Sequence, residues 1–490
     1  MSKSVAVIGA GIGGLAIAIR LSLKGYQVTI FEKNSYAGGK LNQIEKDGFR
    51  FDTGPSLLTL PESVIELFEL AKKDYRDYLE FTKLSSTCKY FYSDGTEINA
   101  YSEPEKFAEE IAEKTSDKKS DVLMFLDSNK RKYQLTSEIF IFNSLHKIKN
   151  YFKKEVINGI INIKDVDVFR TMNQANSTLF HDKKTIQIFN RYATYNGSNP
   201  YKAPATLNII SHLEHNEGAY IAKGGMYSII KSLLDLCNQL SIKIEYNSNI
   251  EEIVTKNNKV IGLKIDNKIK EFNTVVNNMD VINTYKKLLP NYKVPNYLTN
   301  QEGSSSALIF YWSINRNFPK LDLHNILFSD NYKKEFDYIF TEKEIYKDPT
   351  VYIYISSKYN KSDAPDGMEN WFVMINTPYN EDQDWDKLID QSRKNIIKKI
   401  NSFLKVDIEQ NIISEEILDP RSIETKTSSY RGSLYGNSSN SKFSAFLRHP
   451  NFSNKIKGLF FCGGSVHPGG GIPLALASAK IVSQMFDKNH

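Results

Sequence analysis

The stretch Val5-Ala6-Val7-Ile8-Gly9-Ala10-Gly11-Ile12-Gly13-Gly14-Leu15 decides how the rest of the chain is read. Val5 to Ile8 is apolar at every position, the pattern of a parallel strand buried on both faces. It runs into a G-x-G-x-x-G turn whose glycines are Gly9, Gly11 and Gly14. Each glycine has its own task. Gly9 makes the tight turn, Gly11 lets a pyrophosphate approach the backbone, and Gly14 lets the next helix pack on the strand. That helix carries Leu15, Ala16, Ala18, Ile19 and Leu21 and is expected to end near Gly25. Its N-terminus offers N–H donors and a positive dipole to phosphate. Val28-Thr29-Ile30-Phe31 reads as the second strand and closes at Glu32. Such sites carry an acid about 20 residues on, which accepts ribose hydroxyls and repels a 2′-phosphate. A glycine turn alone is weak evidence; strand, turn, helix, second strand and acid in sequence predict a dinucleotide site.

Further glycines continue past the acid, in Gly38-Gly39-Lys40, Gly48 and Asp52-Thr53-Gly54-Pro55-Ser56. This resembles the glutathione-reductase-type FAD proteins, whose paired glycines let the chain pass close to the ribityl and pyrophosphate of the flavin. The resemblance implies FAD rather than NAD. Near the other end, Gly458-Leu459-Phe460-Phe461-Cys462 reads as a strand, and Gly463-Gly464-Ser465-Val466-His467-Pro468-Gly469-Gly470-Gly471 as a loop made for close backbone approach. A helix follows from Ile472, with Pro473 suited to its first turn. Aimed at the flavin, its N-terminus would stabilise the negative charge of the reduced ring. The expected cofactor-binding set is Gly9, Gly11, Gly13, Gly14, Glu32, Lys33, Gly38, Gly39, Lys40, Gly54, Pro55, Ser56, Gly463, Gly464, Val466, Gly471 and Ile472.

Between these ends, Lys223-Gly224-Gly225-Met226 precedes an amphipathic helix, followed by strands at Ile242–Tyr246, Lys259–Ile265 and Val275–Asn278. The fold class is therefore α/β, with a Rossmann-type FAD domain assembled from residues 1–85, 206–285 and 431–490. A helical insert is expected over 86–205 and a mixed-sheet substrate domain over 286–430. In the latter, Ala307–Trp312, Tyr352–Ile355 and Trp371–Ile375 are expected to form one sheet over the flavin.

Composition supports this and excludes other classes. With 490 residues, 41% hydrophobic and 24% charged, the chain is a multidomain globular protein and not a disordered or collagen-like one. Three dispersed cysteines exclude a disulfide framework and a Cys-x-x-Cys metal site; no metal is expected. A net charge of +6 is too diffuse for a nucleic-acid partner but suits an anionic membrane surface. No signal peptide precedes Val5, and the uncharged run Gly458–Ala479 is too broken by glycine and proline for a membrane helix. From Ser137 to Ile161, apolar residues interleave with Lys147, Lys149, Lys153 and Lys154. Two readings stand: a basic amphipathic helix in the headgroup region, or a core helix with a solvated edge. The first makes the protein cytoplasmic and peripheral to the inner face of the cell membrane.

With both ends in hand, the chain resembles the bacterial-type phytoene desaturase family of carotenoid desaturases over nearly its full length. The likeness is carried by the FAD motifs, by Arg191-Tyr192-Ala193-Thr194-Tyr195-Asn196-Gly197-Ser198-Asn199-Pro200-Tyr201, by His324-Asn325-Ile326 with Phe328-Ser329-Asp330-Asn331-Tyr332, and by Gly463 to Pro473. Ser465-Val466-His467-Pro468 and Glu369-Asn370-Trp371-Phe372-Val373-Met374 are similar to the 1-hydroxycarotenoid 3,4-desaturase (methoxyneurosporene dehydrogenase) branch. Phytoene or diapophytoene desaturase is the alternative within the family. Flavin monoamine oxidases share the N-terminal pattern but carry an acid where Gly464 stands. A flavin-free lipid carrier on the same fold is the alternative of another class; the intact glycine turn, Glu32 and C-terminal loop weigh against it.

The resemblance implies an FAD-dependent desaturase acting on an acyclic, 1-hydroxylated carotenoid end. One hydride goes to flavin N5, one proton is lost, and the electrons pass on to oxygen or a quinone. The positive charge that develops is delocalised along the polyene, so the protein mainly contributes orientation and water exclusion. The 28 Phe and 28 Tyr supply lining for a long apolar channel. His467 is the candidate base, or else a residue that orders its loop. His324 meets a terminal hydroxyl of the substrate, or is an ordinary core histidine. Arg191 and Thr194, read as catalytic, and Tyr192, read as substrate-binding, line the channel or brace it.

Overall fold

The structure, a computed structural model, describes residues 4–144, 146–147, 157, 166–441 and 448–486. A five-stranded parallel sheet is assembled from distant parts of the chain, in the order Leu459–Phe461, Val275–Asn277, Ser4–Ile8, Gln27–Phe31, Lys243–Glu245. Because the sheet is covered on both faces, alternate residues of one apolar strand serve two cores. Val5 and Val7 pack with the helices Ile12–Leu23, Ser228–Gln239 and Ile472–Phe486. Ala6 and Ile8 pack on the opposite side with Ile253, Val260, Leu263 and Ile265. Those four belong to an antiparallel meander, Glu252–Lys256, Lys259–Ile265 and Lys268–Glu271.

A second, seven-stranded sheet runs in the order Ile412–Leu418, Ser306–Ile314, Glu369–Thr377, Val351–Tyr354, His324–Leu327, Ser86–Phe91, Glu97–Tyr101. Its neighbours are antiparallel except for the parallel pair His324–Leu327 and Ser86–Phe91. The three strands expected from residues 307–375 do share this one sheet. Leu308, Phe310, Trp312, Trp371, Val373 and Ile375 face Ile396, Ile397 and Ile400 of the helix Trp385–Leu404. The residues between them, Ala307, Ile309, Tyr311 and Phe372, form the other face. That face looks toward the glycine-rich loops.

The expectation that residue 86 opens a helical insert is corrected here. Ser86–Phe91 and Glu97–Tyr101 are edge strands of the substrate sheet, and the helices Pro104–Lys114, Lys119–Phe140, Met172–Leu179 and Lys183–Asn190 come after them. The two strands bury Cys88, Tyr90, Ile98 and Ala100 against those helices. The basic amphipathic segment read from Ser137 to Ile161 lies for the most part outside the described residues. No helix among the described residues is long and apolar enough to cross a membrane.

Candidate active site

The first strand, the glycine turn and the first helix come together as the sequence requires. A Cβ on Gly14 would lie 2.0 Å from the carbonyl oxygen of Gly9, so the helix packs where no side chain fits. Glu32, buried at the end of the second strand, is fixed by two backbone donors: Ala10 N–H donates to Oε2 at 2.8 Å and Asn34 N–H to Oε1 at 2.9 Å. The Gly38 N–H donates to Ala10 O at 2.9 Å, which ties the paired-glycine loop to the turn. Tyr227 holds the same loop by donating to Ala37 O at 3.1 Å.

This framework opens on one large cavity of about 1500 Å³. Gly9, Gly11, Gly13, Glu32, Lys33 and Ser248 to Glu251 line it, as do Gly38, Gly39, Lys40 and Gly54 to Ser56. So do Gly463, Gly464, Ser465 and the start of the last helix at Gly471, Ile472 and Pro473. Of the expected set, Gly14 and Val466 lie behind this surface: Gly14 supports the turn, and Val466 packs in the core beside the meander. Lys40 donates to the carbonyls of Leu434 at 2.5 Å and Ser433 at 3.2 Å. Burial pulls its ammonium down to about 8, with Asp280 opposing.

Asn278 was not singled out by its sequence motif. It follows the strand Val275–Asn277 and reaches across the glycine turn, where a Cβ on Gly13 would lie 2.7 Å from its Oδ1. Cys462 also points at this junction, its Sγ 3.7 Å from both Gly13 O and Asn278 Oδ1. The chain's groups fit an FAD. The turn itself carries no side chain at Gly9, Gly11 and Gly13, where a pyrophosphate would approach the backbone. Glu32 lines the cavity at the end of the second strand, where a ribose would be held, and the last helix opens its N-terminus on the same cavity.

Beyond the cradle, the cavity continues along the substrate sheet. Ala307, Ile309, Tyr311, Phe372 and Met374 provide an apolar wall, with Ile326 and Tyr332 beyond. A polar patch interrupts it. Glu214 accepts from Thr87 Oγ1 at 2.9 Å, from Tyr192 OH at 3.0 Å and from Arg191 Nη2 at 3.2 Å, and Tyr195 OH also donates to it. Burial pushes the Glu214 carboxyl up, but Arg191, His215 and the hydroxyl donors outweigh it and hold the group below the ordinary carboxylate range. The Arg191 guanidinium is also boxed by the rings of Tyr192, Tyr195 and Tyr90, at 4.5, 5.3 and 5.4 Å. Next to this cluster, His324 Nδ1 shares a 2.7 Å hydrogen bond with Tyr352 OH, which shares one of 2.6 Å with Ser56 Oγ.

Of the residues read as catalytic or substrate-binding, Arg191, Thr194 and His324 line the cavity, and Tyr192 braces Glu214 behind it. Thr194 Oγ1 donates to Arg191 O at 2.8 Å, a local helix-type bond. His467 does not line the cavity. Its Nε2 is 2.8 Å from the carbonyl oxygen of Asn143, and burial lowers its pKa to about 4. Of its two readings, the geometry supports the loop-ordering one. Glu214, Thr87, Tyr195, Tyr352 and Asn278 escaped sequence reasoning, because only the fold brings positions so far apart together.

A parallel α/β domain with a dinucleotide turn, a second glycine-rich loop at a helix N-terminus and a substrate sheet closing one cavity defines a flavoprotein oxidoreductase. The chain belongs to the flavin containing amine oxidoreductase family, whose model matches residues 12–485, and within it to the carotenoid desaturases of the bacterial phytoene-desaturase type. It is 48% identical over 484 residues to the 1-hydroxycarotenoid 3,4-desaturase of Flavobacterium sp. (strain P99-3), covering 99% of both chains. It is 32% identical over 489 residues to the 4,4'-diapolycopene oxygenase of Methylomonas sp, covering 98% of this chain and 97% of that one. Among solved structures, a putrescine oxidase variant superposes with a TM-score of 0.66 at 13% identity, over 100% of each chain. That likeness speaks for the fold alone.

Proposed function

We propose that the protein is an FAD-dependent desaturase that introduces a C=C bond into the end of an acyclic, 1-hydroxylated carotenoid, as the name of its Flavobacterium relative says of that protein. The observation that carries this is the shape of the cavity. Ligand pockets commonly measure about 300–1,000 Å³, whereas about 1500 Å³ here joins a dinucleotide cradle to an apolar sheet face in one space. That leaves room for a long hydrocarbon beside the cofactor.

When bound, FAD supplies the hydride acceptor. The chain's own residues do the rest by position. Ile309, Tyr311, Phe372 and Met374 hold the polyene and exclude water, and the glycine loops bring the backbone close enough to fix the flavin against it. The substrate loses a hydride and a proton, and one C–C single bond becomes double. The charge that develops spreads along the polyene, which lowers the demand for a strong base. An amine substrate is disfavoured: Glu214, the buried acid of the polar patch, is already neutralised by Arg191 and bonded by the hydroxyls of Thr87, Tyr192 and Tyr195. The substrate is taken from a membrane surface on the cytoplasmic side, because such a hydrocarbon is dissolved in lipid, and the electrons leave to oxygen or a quinone.

The test uses purified, FAD-loaded protein, kept anaerobic with vesicles carrying a 1-hydroxylated acyclic carotenoid. Bleaching of the flavin together with a red shift of the polyene spectrum is expected. A yellow, folded protein whose flavin stays oxidised with every acyclic carotenoid, hydroxylated or not, would overturn the proposal.

A further inference from the structure

We infer that His324 is the residue that reads the substrate's hydroxyl group, bonding it through Nε2 and so selecting hydroxylated over unhydroxylated chain ends. This deepens the desaturase reading and rests on it. His324 begins the strand His324–Leu327, lines the cavity and is 4% exposed. Its Nδ1 is taken by Tyr352, whose hydroxyl is taken in turn by Ser56. Its Nε2 is buried and has no hydrogen-bond partner. A polar atom left so in a protein interior is costly, and a hydroxyl reaching it from the cavity, with a small shift of the ring, would supply the partner it lacks.

The surroundings say what kind of group fits. The rings of Tyr354 and Tyr352 lie nearly parallel to the imidazole, with centroids at 5.1 and 6.0 Å, and together with the bond from Nδ1 to Tyr352 they orient the ring. Burial keeps it neutral, lowering its pKa to about 3. A neutral imidazole whose Nδ1 is engaged offers one donor or one acceptor at Nε2, according to which way the Tyr352–Ser56 relay runs. A hydroxyl satisfies either, since it both donates and accepts. A carboxylate would want a cation, and the nearby guanidinium of Arg191 is already paired with Glu214. An unhydroxylated hydrocarbon end would leave Nε2 buried and unbonded. A site built to bond a hydroxyl rejects the analogue without it far better than an apolar pocket rejects an added one.

The experiment compares FAD-loaded, full-length wild type with His324→Ala and Tyr352→Phe. Single-turnover flavin reduction is followed with a 1-hydroxylated acyclic carotenoid and with the same polyene lacking the hydroxyl, each in vesicles. Affinity for the two products is read from the shift of the polyene spectrum on binding. Wild type is expected to prefer the hydroxylated chain, and His324→Ala to lose that preference in both rate and affinity by about 10- to 100-fold. Tyr352→Phe keeps the ring but removes its partner, and a severalfold loss is expected. Should His324→Ala fail to hold flavin, Tyr352→Phe decides. An unchanged preference in His324→Ala, or in Tyr352→Phe where that variant decides, overturns the inference, as does a wild type indifferent to the hydroxyl. Failure of the desaturase reading looks different: wild-type flavin that no carotenoid reduces.

Discussion

Replacing Arg191 by methionine would keep much of the side chain's length and remove its charge. Glu214, 1% exposed, would be left with the hydroxyls of Thr87, Tyr192 and Tyr195. Two limits set the cost. Breaking a buried ion pair from one side costs roughly 3–5 kcal/mol when the remaining charge stays ionised. The alternative is protonation. For a carboxyl with an ordinary pKa of about 4.3, carrying a proton at pH 7 costs about 2.7 units at 1.36 kcal/mol each, near 3.7 kcal/mol. That ceiling makes a loss of about 3–4 kcal/mol the expected result at pH 7.

The dependence on pH distinguishes this from a packing defect. In the wild type the folded pKa of Glu214 lies below its ordinary value, so its contribution is present above about pH 4.3 and is lost on acidification. In Arg191→Met the folded pKa lies above that value, so the variant takes up a proton on folding and weakens as pH rises. The gap between the two proteins should therefore widen by up to about 1.4 kcal/mol per unit from pH 5 to pH 7. Equilibrium urea unfolding of the FAD-loaded proteins at pH 5, 6 and 7 measures it. The double variant Arg191→Met/Glu214→Gln, with no buried charge, should recover most of the loss. A gap under about 1 kcal/mol that does not change with pH would refute the pairing argument.

Three further outcomes follow from the same geometry. Gly14→Ala puts a Cβ 2.0 Å from Gly9 O, so the purified protein should come out with its flavin absorbance reduced at least about tenfold; a normally yellow protein would contradict the packing role. Glu32→Ala removes the acid held at the ribose position and should raise the dissociation constant for FAD about 10- to 100-fold, read by flavin fluorescence on titration. His467→Ala should keep single-turnover flavin reduction within about threefold, since its ring is bonded to Asn143 O outside the cavity; a loss of about 100-fold or more would restore it as a base.

The flavin half was legible because its constraints fall on the backbone. Phosphate and flavin demand close approach, close approach demands glycine, and glycine is visible in a sequence at Gly9, Gly11, Gly14 and Gly38. The substrate wall is different. Ser306–Ile314 is buried on both faces, so nothing in its apolar run tells that Ile309 and Tyr311 face the cavity while Phe310 and Trp312 face the helix behind. Ser86–Phe91 and Glu97–Tyr101 were hidden by their length and by the strongly helical segment that follows. Glu214 sits in a stretch with no motif, and only folding brings it to Thr87 and Arg191. His467 shows a different limit: its place in the flavin loop left a base and a loop-ordering residue both open, and only the fold shows its Nε2 bonded to Asn143 O.

The polar patch also bears on how the proposed reaction tolerates a cation in its own wall. Hydride loss leaves positive charge on the polyene, and an unpaired guanidinium lining the same cavity would oppose it through a poorly screening medium. Arg191 avoids this by facing Glu214 at 3.2 Å, with the faces of three tyrosine rings around it. The carboxylate is held ionised by the same arginine, so each charge is the condition for the other. To a distant polyene carbon the pair is a dipole rather than a charge, and its field falls off faster. Glu214 and Tyr192 therefore bear on the chemistry from behind the cavity wall. Glu214 neutralises the guanidinium that reaches that wall, and Tyr192, with Thr87 in the wall, holds Glu214 against the segment Arg191–Asn196, whose Thr194 and Tyr195 complete the lining.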